Sequence, residues 1–462
     1  MASKPDTAGY SRNILLLIII LNSFTNPFLG AAVNIALPQI GQDFAMNAIS
    51  LSWVAMSFLL SSAVFLVPLG KLADITGRKR IFLYGNALIT LSAVLCIFST
   101  SGNMLIAFRA LQGIGSAMTF GTGIAIITSA FPVQERGRAI GISVTAVYLG
   151  LSVAPFLGGI LTQTFGWRSL FFVTIPSGLL VIFLTWFAIK VEWAEARSEL
   201  FDYRGSLVYM LAISSLMYGF SKLPDPVAII LTMTGIAGVI FFIWLELKTP
   251  YPVLNIQLFR SNRIFAYSNL AALINYAATF AITFLLSLYL QYIKGLSPRE
   301  AGIVLVTQPL LMTIFASISG RMSDQYDSRI LSSTGMGIIV VGLVLLACLS
   351  EETSLSFIVV SLAILGTGFG LFSSPNTNAV MSSVEKRYLG VASATIGTMR
   401  LTGQMMSMGI ATLVIHVFIG KAQITSANHH LFLSGVTTVF ILFSLLCFLG
   451  VFASLARGRV SP

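Results

Sequence analysis

The stretch from Gly70 to Arg80 reads GKLADITGRKR and separates two long apolar segments of the chain. It holds one acidic residue, Asp74, and four basic residues, in a protein of which only 9% of the residues are charged. Glycine has no side chain, so Gly70 and Gly77 permit a tight turn or a close approach of helices. The stretch therefore predicts a short charged hairpin between two apolar segments.

The composition around this hairpin is that of a membrane protein. The chain has 462 residues, 56% of them hydrophobic, and a mean hydropathy of +0.90. Soluble domains average about 25% charged residues, so a soluble fold of this composition would expose too much apolar surface. The net charge of +11 could suggest nucleic acid, but the cations lie singly between apolar segments. We therefore expect a protein embedded in the lipid bilayer of the cell membrane, with no nucleic-acid partner.

Membrane-crossing helices need about 20 mostly apolar residues each. By this measure the sequence predicts an all-α, polytopic membrane protein with fourteen transmembrane helices. They cover approximately residues 14–37, 49–70, 81–99, 104–129, 139–163, 169–189, 205–222, 227–247, 264–290, 299–320, 330–349, 355–379, 389–418 and 432–456. The first of them is expected to be retained rather than cleaved as a signal peptide. The three cysteines fall in apolar segments and are expected to be buried thiols.

The basic residues support this count of helices. Fourteen crossings place both termini on the same side of the membrane. Twenty of the 27 lysines and arginines fall on that side and five on the other, while Arg109 and Arg400 lie inside predicted helices. Basic loops are enriched on the cytoplasmic side. We therefore predict that both termini and the hairpin are cytoplasmic.

A weaker copy of the hairpin occurs eight predicted helices downstream. It runs from Gly320 to Asp324 and repeats the spacing of a glycine and an aspartate four residues later. Two six-helix halves with two inserted helices would produce this shift. The predicted parts are a six-helix bundle in residues 1–189, two linker helices with a cytoplasmic connector in 190–263, and a second six-helix bundle in 264–462.

The hairpin and two further motifs resemble those of the major facilitator superfamily. Residues 109–117 are similar to its fourth-helix motif R-x-x-Q-G-x-G-x-A, and residues 150–159 to its fifth-helix motif G-x-x-x-G-P-x-x-G-G, with Ala154 in place of a glycine. Residues 33–38, residues 166–168 and the fourteen helices point to the drug:proton antiporter-2 branch. The hairpin matches the cytoplasmic signature G-x-L-a-D-r-x-G-r-k at Gly70, Leu72, Ala73, Asp74, Gly77, Arg78 and Lys79.

The resemblance implies that the hairpin is a cytoplasmic latch between the two halves and that the fifth-helix motif is a gate. Two simpler interpretations stay open, namely a charge cluster that stabilises a turn and close packing of a helix that a proline bends. The expected gating residues are Gly70, Asp74, Gly77, Arg78, Lys79, Glu135, Gly150, Pro155, Gly158, Gly159, Gly320 and Asp324.

Polar residues inside the predicted helices are candidates for substrate or coupling contacts. A charge in the membrane costs at least about 2.5–3.5 kcal/mol, so each buried arginine should face a cavity or a partner. The resemblance implies that helices one, four, nine and twelve line the cavity. Each polar residue could instead form a hydrogen bond between helices. The candidates are Asn34, Arg109, Gln112, Asn275, Asn376, Asn378 and Arg400.

All sixteen acidic residues fall in loops or at the ends of the predicted helices. The resemblance implies a carboxylate in the first helix, five residues before Asn34, but that position is Leu29. A carboxylate in the membrane would attract a cationic drug and carry protons. Two buried arginines with no buried acid favour a neutral or anionic substrate.

The function predicted from the sequence is secondary active transport by alternating access. The cargo would be a small amphipathic compound, neutral or anionic, and the direction of export follows from the resemblance. One alternative is a proton-coupled antiporter for cationic drugs, with protons as a partner, and another is a non-transporting receptor on the same fold. No ATP-binding loop, catalytic cluster or metal-ligand spacing occurs, so we expect no enzyme, cofactor or metal, and a monomer.

Overall fold

The computed structural model describes residues 10–223, 225–254, 256–323, 325–384, 389–420, 422, 424–425 and 428–458. Within these ranges the chain is helical and contains no strand. The first six helices are α1 (Arg12–Asp43), α2 (Ala48–Thr76), α3 (Arg78–Ile97), α4 (Gly102–Ala130), α5 (Val133–Phe165) and α6 (Arg168–Ala188). In this first group α4 packs against α2 and α3, and α1 packs against α5 and α6.

Two helices that pack against each other follow, and then the second group. The pair is α7 (Tyr203–Lys222) and α8 (Pro226–Glu246), after which comes the short α9 (Gln257–Ser261). The second group comprises α10 (Arg263–Thr279), α11 (Ala281–Leu288) with a π-helical turn (Tyr289–Ile293), α12 (Pro298–Leu305), α13 (Thr307–Met322), α14 (Ser328–Leu346), α15 (Leu355–Ser382), α16 (Leu389–Ile419) and α17 (His429–Ala456).

Thirteen helical stretches in the described ranges are long and apolar enough to cross a membrane. They account for thirteen of the fourteen predicted crossings. The other is α7, which has the length of a crossing at 20 residues but is not among the thirteen. The prediction of an all-helical, multi-pass membrane protein is confirmed, whereas the count of fourteen stays a prediction.

Two of the membrane-crossing stretches are interrupted. Between α10 and α11 the backbone N–H of Ala281 donates to the hydroxyl of Ser407, at 3.0 Å, rather than continuing the helical ladder. Between α12 and α13 the interruption is at Val306, and Pro309 in the first turn of α13 has no N–H to donate to the carbonyl of residue 305. Hydropathy does not detect either interruption because each lies within a stretch whose average is apolar.

The hairpin is a single-residue turn between two helices, and α2 does not end at residue 70 as predicted. It continues to Thr76, so Lys71 and Asp74 lie in its last two turns and Gly77 alone makes the turn. The helix can extend beyond its apolar segment because both charges find partners, Glu199 for Lys71 and Arg78 for Asp74.

The two ends of the helical bundle are defined by contacts between the two groups. At the end that carries residues 70–80, called the hairpin end, Thr128 of α4 and Met381 of α15 line one shallow crevice. At the opposite end, called the far end, Gly41 of α1 lies next to Tyr292. Helix α1 begins and α17 ends at the hairpin end, where Tyr10 donates to the carbonyl of Ala130 at 2.7 Å.

Two of the three cysteines are buried as predicted. Cys96 and Cys447 are fully covered, whereas Cys348 is exposed. The prediction for Cys348 is wrong because α14 ends at Leu346, which leaves Cys348 in the turn that follows the helix.

Candidate functional site

Arg78 is the centre of the charged network at the hairpin. Its side chain is nearly covered, and its Nε donates to Asp74 Oδ1 at 2.7 Å. Its Nη1 donates to Glu195 Oε1 at 2.9 Å and to the Ser129 hydroxyl at 2.5 Å. One guanidinium thus connects α2, α3, α4 and the segment after α6.

That segment carries three acidic residues at positions 192, 195 and 199, and we call residues 192–199 the acidic strap. Glu192 accepts from the backbone N–H of Lys79 at 2.8 Å and lies 3.6 Å from Arg80 Nε. Glu199 pairs with Lys71 at 2.5 Å. The strap therefore reaches basic residues or backbone donors along the whole hairpin.

The strap was not predicted from the sequence, although its signal is present. The acidic residues recur three and four positions apart immediately after the sixth apolar segment, in a chain with few acids. Burial alone would raise the pKa of Glu195, but the hydrogen bond from Ser129 and the charge of Arg78 outweigh burial and lower that pKa. Glu195 is therefore held ionised.

Gly77 is required by both its backbone and its surroundings. Its φ is +129°, a conformation that residues with side chains rarely adopt. A Cβ there would also overlap the carboxyl group of Glu192. Gly70 differs, because a Cβ at that position would meet no atom within 4 Å.

Glu135, one of the expected gating residues, does not pair with the hairpin. It pairs instead with Arg12 at 3.3 Å, and so connects the start of α5 to the start of α1. The ion-pair partners of Arg78 are Asp74 and Glu195. The sequence alone could not show which of Glu135 and Glu195 pairs with Arg78, because both lie close to the hairpin end.

The downstream copy of the hairpin can be placed only in part. Gly320 lies near the end of α13, where a Cβ would come within 2.9 Å of the Ser374 hydroxyl on α15. Asp324 falls outside the described residues. Nearby, Asp327 caps the start of α14 and lies 3.7 Å from Arg329.

The motif in α5 forms close backbone contacts on two sides. A Cβ on Gly150 would overlap the carbonyl of Phe24 in α1, and one on Gly158 would lie 2.8 Å from Ala32. Gly159 faces the other group of helices, where a Cβ would lie 2.5 Å from the carbonyl of Pro298. The carbonyl of Pro155, in the same motif, similarly touches Gly302.

More contacts between the two groups lie towards the far end. The hydroxyl of Ser287 donates to the carbonyl of Asn34 at 2.8 Å, and Gln291 donates to that of Ile35 at 3.0 Å. Thr412 donates to Ser52 at 3.0 Å. Together with the α5–α12 contact, these hydrogen bonds close the far end.

Arg109 is buried inside the first group of helices rather than between the groups. Its Nε donates to the carbonyl of Val54 at 3.2 Å, and its Nη1 donates to Gln112 Oε1 at 2.5 Å. The guanidinium also lies 4.6 Å from the centre of the Phe58 ring. Its charge is thus accommodated by neutral acceptors and an aromatic face, while Gln112 Nε2 is buried with no partner.

Arg400 lies where the two groups meet. It is half-buried, and its guanidinium is 5.4 Å from the centre of the Tyr276 ring. Across from them, Tyr148 of α5 shares a 2.8 Å hydrogen bond with Ser373 of α15 and interacts electrostatically with Arg400 and Tyr276. Among the described residues, Arg400 has no hydrogen bond or ion pair.

The candidate asparagines are distributed over several places. Asn275 is fully buried and neither atom of its amide has a partner, and Asn34 Oδ1 is also unpartnered. Asn376 donates to the carbonyl of Ser268 at 3.1 Å and accepts from Arg457 at 3.0 Å. The structure therefore does not gather the seven predicted substrate residues into one site.

Two of these candidates, Asn376 and Asn378, take part in structural contacts at the hairpin end. Asn378 is exposed and donates to the Ser323 hydroxyl at 3.1 Å. Arg457 follows α17 and is 1% exposed, and it anchors the end of that helix on Asn376 and on the carbonyl of Ser328, at 2.8 Å. Burial lowers the pKa of Arg457 to about 10. Hydropathy gives no sign of this contact, because Arg457 follows the last apolar segment.

In the described part of the chain, no group of three or more histidine, cysteine or acidic residues could hold a metal ion. The intramembrane polar groups are instead arginine, tyrosine, serine and amide side chains. Groups of these kinds can each donate a hydrogen bond to a ligand, and an arginine can also hold an anionic or aromatic group.

Comparison with known proteins identifies relatives over most of the chain. A sequence model described as "Major Facilitator Superfamily" matches residues 19–408 and 268–462. The riboflavin transporter RibZ of Clostridioides difficile is 31% identical over 84% of this chain and 84% of its own. The multidrug resistance protein Stp of Mycobacterium tuberculosis is 31% identical, over 83% of this chain and 72% of its own.

One further relative and one solved structure agree with these matches. The methylenomycin A resistance protein of Bacillus subtilis is 26% identical over 88% of both chains. The crystal structure of a bacterial homologue of the human lysosomal transporter Spinster, in an inward-facing and occupied conformation, aligns over 100% of both chains. Its TM-score is 0.66 at 18% identity, so it supports the fold alone.

Proposed function

The chain belongs to the Major Facilitator Superfamily, and from that membership we propose that it is a secondary transporter that works by alternating access. Members of the family named here are transporters rather than enzymes. The cargo would be a small amphipathic compound, neutral or anionic, that is exported from the cell.

The observation that carries the choice of cargo is the environment of Arg400. Its positive charge lies between the two groups of helices, beside an aromatic ring and with no acidic partner among the described residues. An anionic ligand would supply the negative charge that this guanidinium lacks, and an aromatic ligand would supply a second ring face. Arg109 is less suited to direct contact, because Val54 and Gln112 already accept its hydrogen bonds.

The relatives agree with this type of cargo and with export. One is named as a riboflavin transporter, and riboflavin is an aromatic compound without charge at neutral pH. Others are named for resistance to several drugs or to methylenomycin A. Export of an anion needs no proton, since one charge crossing 100 mV is worth about 2.3 kcal/mol in a cell that is negative inside.

The gates would lie at the two ends of the bundle. In the α5 motif, Pro155 and Gly159 support close contact of the two groups at the far end, while Gly150 and Gly158 pack α5 against α1. The hairpin and the acidic strap would act as the latch at the hairpin end, with Arg78 at its centre. Gly320 and Asp324 would form the corresponding element of the second half.

The proposed topology has fourteen crossings, with α7 as the additional one beside α8. Residues 1–189 and 264–462 would form the two six-helix halves, and 190–263 the linker helices and connector. Both termini would be cytoplasmic, and the protein would act as a monomer.

Transport by purified protein in proteoliposomes tests this function. Cationic, neutral and anionic compounds are supplied under either an imposed pH gradient or an imposed membrane potential. We expect flux of the anionic or neutral compounds. Replacing Arg400 by glutamine should reduce the anion flux roughly tenfold or more, because hydrogen bonds to charged groups are worth about 1.5–3 kcal/mol.

Arg260→Gln is the matched control, since Arg260 is exposed on the connector and loses the same charge. It should leave the flux unchanged. Flux of cationic drugs driven by the pH gradient would instead support a proton-coupled antiporter. If no compound moves in the wild type under either gradient, the transporter proposal is wrong and a receptor becomes the better explanation.

A further inference from the structure

Two carboxyl groups meet at the hairpin end of the linker helices. Glu246 is the last residue of α8 and is 3% exposed, and Asp202 is the residue that caps the start of α7. One oxygen of each is used by the backbone. Glu246 Oε2 accepts from the N–H of Leu254 at 2.8 Å, and Asp202 Oδ1 accepts from that of Gly205 at 2.9 Å.

The other two oxygens face each other without a donor. Glu246 Oε1 and Asp202 Oδ2 are both buried and have no hydrogen-bond partner. Both touch the point where a Cβ on Gly205 would lie, so they converge on the same small space. In ordinary hydrogen bonding two ionised carboxylates cannot satisfy each other, because each is an acceptor only.

No cation balances this pair in the described part of the chain. The nearest basic residues in sequence are Arg204 and Lys248. Arg204 is exposed, and Lys248 lies 3.9 Å above the ring of Trp244. From the connector the groups that face Glu246 are the backbone N–H groups of Val253 and Leu254.

The same turn of α7 carries one more unpartnered oxygen. Ser206 is 2% exposed, and its hydroxyl is buried without a hydrogen bond. It follows Asp202 by four residues on α7, which puts both side chains on one face of the helix. The two carboxylate oxygens that converge beside Gly205, with no donor between them, point to a bound proton.

We propose that Asp202 and Glu246 share one proton and form a proton-binding site at the hairpin end of the α7–α8 pair. The proton would convert one carboxyl group into an O–H donor to the other, which satisfies both oxygens. Like-charged carboxylates in one buried place retain a proton that a lone carboxylate loses at neutral pH.

The site connects three segments that belong to different parts of the chain. Asp202 follows the acidic strap, and Glu246 holds the connector through Leu254. Helix α7 itself rests on the first half, where Tyr209 donates to the carbonyl of Ala63 at 3.0 Å, and it also packs against α16 of the second half. A bound proton would therefore fasten the linker helices to the strap and the connector. This inference does not depend on the proposed cargo or direction of transport.

Infrared spectroscopy of the full chain in lipid at neutral pH tests the shared proton. A protonated carboxyl group gives a carbonyl stretch that ionised carboxylates lack and that shifts in heavy water. We expect this band in the wild type and its loss in both Glu246→Gln and Asp202→Asn. Both substitutions keep the backbone contacts, because a glutamine oxygen can accept from Leu254 and asparagine also caps a helix.

Glu300→Gln is the control, since Glu300 is an exposed capping residue of α12. It should retain the wild-type band, and thermal unfolding of each variant checks that it is folded. The proposal is overturned if the wild type shows no band, or if the band persists in Glu246→Gln. It is also overturned if the band appears only when sodium is removed, because the pair would then hold a metal cation.

Discussion

At the scale of single residues, Gly70 and Gly77 are both glycines of the hairpin motif but have different structural roles. Gly77 has φ +129° and lies against Glu192, whereas Gly70 is helical with open space beside it. We expect Gly77→Ala to destabilise the protein by about 1–3 kcal/mol, the cost of a strained backbone conformation, and to loosen the strap. Thermal unfolding in detergent measures this difference.

Gly70→Ala is the matched control for this experiment. It lies inside α2, where alanine is favoured over glycine by about 0.5–1 kcal/mol, so this variant should unfold at the same or a higher temperature. Equal destabilisation by the two substitutions would contradict the distinction between them.

The contact between Arg78 and Glu195 makes a prediction about pH. The pKa of Glu195 is lowered in the folded protein, so its stabilising contribution is complete above the unfolded value of about 4.3. That contribution is lost as the pH falls through the lower, folded value. Compared with Glu195→Gln, the wild type should therefore be more stable near neutral pH and should lose this advantage only under acidic conditions.

Melting temperatures of both proteins between neutral and acidic pH measure this effect. Glu352→Gln, at an exposed loop acid of the far end, controls for the general response to acid. An advantage of the wild type that grows on acidification would show that Glu195 is not held ionised by Arg78 and Ser129.

At the scale of elements, the contact of α5 with α12 depends on two glycines. Gly159 of α5 faces the backbone of α12, and Gly302 of α12 faces the backbone of α5. A Cβ on Gly159 would lie 2.5 Å from the carbonyl of Pro298 and 3.0 Å from Arg299 Cα. Overpacking of this kind costs about 1–3 kcal/mol, which corresponds to roughly a 5–150-fold change in a two-state equilibrium. We expect Gly159→Ala to disfavour closure of the far end and to slow transport.

The measurement is transport together with cross-linking of cysteine pairs placed across α5 and α12 at the far end. Gly141→Ala in the same helix is the control, because a Cβ there would meet no atom within 4 Å. Unchanged cross-linking and transport in Gly159→Ala would show that this contact does not limit the motion of the halves.

The elements also show what hydropathy can and cannot predict. Thirteen membrane-crossing stretches follow from runs of apolar residues, since the bilayer requires about 20 of them per crossing. The extension of α2 to Thr76 and the interruption at Ala281 do not follow. Each depends on a partner distant in sequence, Glu199 for Lys71 and Ser407 for the Ala281 N–H.

The same limit applies to the candidate site. The placement of the acidic residues in loops or at helix ends, and of Arg109 and Arg400 inside helices, could be read from the sequence. The burial of Glu246 at the end of α8 could not. It could not be read that Arg109 is enclosed by α2 and α4 while Arg400 lies where the two groups of helices meet. Which residues face a cavity is decided by how the helices rotate against one another, and their hydrophobic periodicity is weak because lipid and protein interior are both apolar.

At the scale of the whole molecule, the basic residues and the helix ends make one joint prediction about orientation. The hairpin, the start of α1 and the end of α17 lie at one end of the bundle, and we expect this end to be cytoplasmic. A membrane-impermeant thiol reagent on intact cells tests it. In a Cys348→Ser background, Arg299→Cys at the far end should be labelled from outside, whereas Thr76→Cys in the hairpin should be labelled only after permeabilisation.

Both chosen positions are exposed, so accessibility depends on the side of the membrane rather than on burial. The remaining cysteines, Cys96 and Cys447, are buried and should stay unlabelled in either case. Labelling of Thr76→Cys in intact cells would reverse the orientation. The latch would then lie outside the cell. The negative interior would still drive an anion outwards past Arg400, but the anion would leave the protein at the hairpin end.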